Sequence, residues 1–131
     1  MYKLALMILS AATITLSLPA SANDDGQEGE WTQLRARYLI HSGSATYPEA
    51  PTKMDRVLTV VIEGKAAKEI FDLIGPNASP QCSPDKRDKE RRKKGVECIY
   101  TAQLDDPKDF HYRCWIGIDL RTGDGDARIA C

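Results

Sequence analysis

Hydrophobic and polar positions along the chain follow three different periods. From Leu4 to Leu18 the residues are apolar almost throughout, and Pro19-Ala20-Ser21-Ala22 follows. One early charge, Lys3, a short apolar run and a small-residue ending are the three parts of a secretory signal. The run is short and carries Ser and Thr, which suits a cleaved leader better than a membrane span. Cleavage is predicted after Ala22, so residues 1–22 leave the mature chain and no stable membrane insertion follows. Residues 23–30, Asn-Asp-Asp-Gly-Gln-Glu-Gly-Glu, hold no apolar anchor. They read as a disordered acidic lead-in to a single globular domain over 31–131.

Period two begins at Leu34. Leu34, Ala36, Tyr38 and Ile40 face one way and Arg35, Arg37 and His41 the other, as in a half-buried strand. Ser42–Thr52, with Gly43, Pro48 and Pro51, is a loop. Val57–Ile62 is β-branched and continuously apolar, the pattern of a central strand. After Gly64 the period changes to that of a helix. Ala66, Ala67, Ile70, Phe71 and Ile74 form one stripe over 65–74, and Gly75-Pro76 ends it. Val96–Ala102 and His111–Leu120 alternate again. The second sets Tyr112, Cys114, Ile116, Ile118 and Leu120 against His111, Arg113, Trp115, Gly117 and Asp119. Turns are expected at Asp105-Asp106-Pro107 and Thr122-Gly123-Asp124-Gly125, and a short last strand over Ala127–Cys131. The order predicts an α+β domain: a small, mostly antiparallel sheet of about five strands with one helix on one face.

Cys82, Cys98, Cys114 and Cys131 change this picture. An even count in a small exported domain argues for two disulfides. Without a Cys-x-x-Cys spacing, and with His41 and His111 far apart in sequence, no metal site or cofactor is expected. Cys82–Cys98 with Cys114–Cys131 is the expected pairing. Each closes a loop of roughly 15 residues, worth about 3 kcal/mol in the chain-entropy model. The rival Cys98–Cys114 would join directly opposite residues of a hairpin.

Overall charge selects no partner. Losing residues 1–22 removes one of 18 basic side chains, Lys3, and none of the 19 acidic ones, so the net charge moves from −1 to −2. Locally, residues 85–94 hold seven basic and three acidic side chains. With Cys82–Cys98 formed they would project as a stapled positive loop, with Lys86, Arg87, Arg91, Arg92 and Lys93 as docking residues for an acidic surface. The plain alternative is a solvated helical turn or flexible loop with i,i+4 pairs such as Glu90 and Lys94. Arg113 and Trp115, of the types that dominate interfaces, are expected on the face away from the helix.

No nucleophile motif or phosphate loop is present, and nothing in the spacing of Glu63, Glu69 and Glu97 selects a catalytic pair. The aspartates of 119–126 fail the twelve-residue calcium pattern and read as a hairpin turn. The sequence therefore points to a periplasmic or secreted, non-enzymatic binding protein of inhibitor or immunity type, acting on another exported protein with an acidic surface. One alternative is a small hydrolase of nuclease type using His41 and His111, both expected at exposed strand ends. Another is an envelope module that binds polyanions through 86–94. Nucleic acid is disfavoured, since no aromatic residues interleave with the charges.

Overall fold

The computed structural model describes residues 29–129 and 131. Residues 1–28, which hold the expected leader and most of the expected acidic lead-in, lie outside the described residues. Thr32–Cys131 forms one compact unit. Its elements are β1 (Ala36–Gly43), β2 (Pro48–Glu49), β3 (Val57–Glu63), α1 (Lys65–Ile74), β4 (Lys89–Lys93), β5 (Val96–Tyr100) and β6 (Tyr112–Asp119). The strands make one six-stranded sheet in the order β2-β1-β3-β6-β5-β4, with every neighbour antiparallel. Among the described residues no helix is long and apolar enough to cross a membrane.

Val57–Glu63 is central, as its continuous apolar run predicts, and α1 spans the predicted residues. Ala67 and Phe71 of the helical stripe are buried on Ile62, Cys98 and Cys114 of the sheet. Phe71 meets Tyr112 edge-on at 5.3 Å between ring centres. Lys65–Glu69 and Lys68–Asp72 pair along the solvent side of the helix. No basic residue stands in its last turn. Arg91 of β4 supplies the missing cation: its guanidinium donates to the Phe71 carbonyl at 2.7 Å and lies 4.2 Å from the Phe71 ring centre.

Two predictions about strands need correction. The basic run is neither a loop nor a helical turn: Lys89–Lys93 is edge strand β4, joined to β5 by Lys94-Gly95. Gly95 has φ 76°, which suits glycine in so tight a turn. The described residues of 127–131 form no strand. The tail instead crosses the face away from the helix, where the Asp126 amide donates to the Gly117 carbonyl and the Ala45 amide donates to the Arg128 carbonyl.

The disulfides also differ from expectation: they are Cys98–Cys114 and Cys82–Cys131. Cys98 and Cys114 face each other on β5 and β6, buried, with Cα atoms 4.0 Å apart. Hydrogen bonds at Gly117–Gly95 and Thr101–His111 flank them, so by alternation theirs is a non-hydrogen-bonded pair, where side chains stand closest. Both point toward α1. Cys82 lies on the opposite face beside Glu90, so it cannot reach Cys98. It ties down the tail instead. Closing 49 residues, this bridge is worth about 4 kcal/mol in the chain-entropy model, against about 3 kcal/mol for Cys98–Cys114, which closes 16.

Gly117 is where the tail and the sheet touch. A Cβ there would collide with the Asp126 carbonyl oxygen and the Ala127 Cα, both backbone atoms that cannot swing away. Gly117→Ala is therefore expected to destabilise the domain by about 2–3 kcal/mol. Urea unfolding is the check, and the variant's midpoint should fall well below that of the parent.

Candidate functional site

The face away from the helix carries two rows of side chains in cross-strand register. One runs Arg92, Glu97, Trp115, Val61, Arg37 from β4 to β1. The next runs Glu90, Ile99, Arg113, Glu63. The two ends of this face are built differently.

At the β4 end the charges are enclosed. Glu90 and Glu97 are both buried, and Arg92 stands between them at 2.6 Å from Glu90 Oε2 and 3.5 Å from Glu97 Oε1. The Cys82 amide donates to both Glu90 oxygens at 3.0 Å. Cys82, Glu90 and Glu97 bring possible ligand atoms within 4.8 Å of one another. The Cys82 sulfur is bonded to Cys131, however, and arginine lies where a cation would sit, so the cluster pins the tail to β4. Burial holds the Glu97 carboxyl above its ordinary range, against the opposing pull of Arg92.

At the β1 end the face is open among the described residues. Trp115, half-buried, lines a groove of about 280 Å³ with Arg37, Leu39, Ala45, Thr59 and Val61. A second hollow continues from it past Arg35, Arg37 and Glu63. Arg113 donates to Glu63 Oε1 at 2.7 Å, and Arg37 reaches the same oxygen at 3.5 Å. Two guanidinium groups thus share one carboxylate, with Arg35 beside them. Arg37 remains three-quarters exposed.

The predicted docking residues therefore fall into separate places. Arg113 and Trp115 lie together on the open face, half-buried rather than fully displayed. Lys86 and Lys93 are exposed. Arg87 pairs with Asp85, Arg91 is engaged with the end of α1 and with Asn77, Arg92 is in the tail cluster, and Lys94 pairs with Asp124. Trp31 is fully exposed. Arg37, Leu39, Thr59 and Val61 are groove residues that the pattern did not single out. Their signal was Arg35 and Arg37 on one side of a strand, opposite Tyr38 and Ile40.

His41, expected to be exposed, is buried. Its Nδ1 donates to the Ser42 carbonyl at 3.1 Å, which leaves Nε2 to accept from the Thr59 hydroxyl at 2.9 Å. His111 is exposed and donates to the Thr101 carbonyl. His41 lies in register with Val57 and Asp119, eight residues along β6 from His111. That separates the rings by about 27 Å along the strand direction, beyond reach of one phosphate. Glu63, Glu69 and Glu97 pair respectively with Arg113, Lys65 and Arg92. The aspartates of 119–126 close a turn, with the Asp119 amide donating to the Asp124 carbonyl.

Comparison with protein-family models, curated proteins and solved structures gives no match.

Glu97 yields a prediction with a definite sign. A carboxyl raised in the folded state favours folding below its unfolded value, about 4.3, and this contribution is lost as pH rises through the folded value. Glu97→Gln is thus expected to be more stable than the parent at pH 7 and equal to it near pH 3, by urea unfolding at both. Asp55, Asp85 and Asp124 work oppositely: backbone and arginine contacts hold Asp55 low, Arg87 holds Asp85 at about 2, and Lys94 holds Asp124 low. Their contributions are present above about pH 4 and fade as pH falls.

Proposed function

We propose that this chain is exported to the periplasm or medium, loses residues 1–22, and binds another exported protein without catalysing a reaction, as an inhibitor or immunity-type partner. The observation that carries this reading is the groove beside Trp115. A half-buried tryptophan with Arg37 at the groove's rim and Arg35 in the adjoining hollow, on a face that the described tail leaves open, is the arrangement of an interface anchor. Both disulfides suit an oxidising compartment. The two histidines stand too far apart to share a substrate, which weighs against the nuclease alternative. The basic run contributes less than its composition implies, because Arg87, Arg91, Arg92 and Lys94 hold structural partners.

The test is affinity capture from periplasmic and secreted fractions, with parent and Trp115→Ala side by side. The parent is expected to begin at Asn23 and to retain one partner in stoichiometric amount. Trp115→Ala should weaken that complex by about 30-fold or more, as for a 2 kcal/mol anchor, while keeping its far-ultraviolet dichroism. No stoichiometric partner, or equal retention by the variant, would overturn the reading.

A further inference from the structure

The two long edges of the sheet are treated differently. Along β4 the edge is guarded: the Ala78 amide donates to the Glu90 carbonyl at 2.7 Å, and lysines stand at Lys89 and Lys93. Along β1 it is open among the described residues. β2 pairs only with Ser42 and Gly43, so within them Ala36–His41 has a neighbouring strand on one side alone. The direction of the free groups follows from the ladder. The Leu120 amide bonds Arg56 and the Gly64 amide bonds Tyr112, so the even-numbered residues of β3 face β6 and Val57, Thr59 and Val61 face β1. Their partners Arg37, Leu39 and His41 are thereby engaged. Ala36, Tyr38 and Ile40 present their amides and carbonyls outward.

The side chains along this edge alternate in character. Tyr38 and Ile40, 74% and 42% exposed, stand in rows with Val60 and Ile116, and with Leu58 and Ile118, on the helix side but clear of the helix. Arg35 and Arg37 lie on the other side; Arg37 reaches Glu63, which Arg113 already holds, and Arg35 lines the same hollow. A second copy paired about Tyr38 would set Arg37 against that copy's Leu39 and bring no carboxylate to either arginine.

Resting on the binding reading above, we infer that β1 is extended by an added antiparallel strand from the partner, an extended segment of alternating apolar and acidic residues. Its backbone completes the hydrogen bonds of Ala36, Tyr38 and Ile40. Its apolar side chains cover Tyr38 and Ile40, and its carboxylates lie beside Arg35 and Arg37, at positions where no backbone bond intervenes and the side chains approach closest.

The experiment uses two end-blocked peptides, Thr-Glu-Val-Glu-Val-Thr and its lysine counterpart, titrated into the isotope-labelled mature protein. The acidic peptide should bind at least tenfold more tightly, with shifts centred on residues 36–41. Arg37→Glu should reverse the preference. Ala36→Pro should weaken both peptides, because it removes an outward amide while the β1–β3 ladder stays intact. Equal affinity for the two peptides, no binding of either, shifts centred elsewhere, or a dimer that forms through β1 without peptide would each overturn the inference. If Trp115→Ala still releases the captured partner while the peptides show no preference, the inference falls and the binding reading stands.

Discussion

The domain is shaped by a mismatch of size between its helix and its sheet. Ten residues of helix span about 15 Å, whereas six strands span about 24 Å from first to last. One short helix cannot roof such a sheet. It settles over β3, β6, β5 and β4, where Ile62, Cys98 and Cys114 meet Phe71 and Ala67. β1 is left without a roof, and its helix-side residues stay in solvent although their alternation is that of a buried strand. On the other face the tail crosses at Gly117, and the cover there is partial as well. Among the described residues both covers leave Ala36–Ile40 of β1 bare, and the tail meets only the far end of that strand, where Arg128 bonds Ala45.

The disulfides reinforce this asymmetry, one on each face. Cys98–Cys114 joins β5 to β6 beneath the helix and adds to the core. Cys82–Cys131 holds the tail over the Glu90–Arg92–Glu97 cluster. A buried ion cluster is weak evidence of stability, because desolvation offsets much of the attraction. The raised titration of Glu97 is the sign of that cost. What the cluster and the bridge supply is position. They close the β4 side, so that among the described residues the groove beside Trp115 and the edge of β1 remain the accessible part of the face.

Much of this was legible in the residues, and the failures have physical causes. The central strand at Val57, the helix at 65–74 and the opposite facing of Cys114 and Trp115 all follow from period, because each is long and strongly patterned. Strand β4 was hidden because an edge strand need bury little. Lys89–Lys93 carries only charged side chains, and the one that is fully buried, Glu90, is charged too. The Lys94-Gly95 turn ahead of the alternation at Val96 was the available clue. Disulfide pairing depends on which face each cysteine addresses. Period reveals that for Cys98 and Cys114, but not for Cys82, which lies in irregular chain. His41 was misplaced for a similar reason: Ser42 and Thr59 close around it only once β1 and β3 are paired. The groove was half legible, since Arg113 and Trp115 stood out and Arg37, Leu39 and Val61 did not.

Among the described residues the sheet is closed at β4 and open at β1. Residue-resolved hydrogen exchange on the free protein tests this arrangement most directly. Slow exchange is predicted for the inward amides of β3 and β6, with Ala36, Tyr38 and Ile40 exchanging near the rate of unprotected chain while Arg37 and Leu39 between them are protected. Uniform protection across residues 36–41 in the free protein would contradict the account, because the edge would then already be covered.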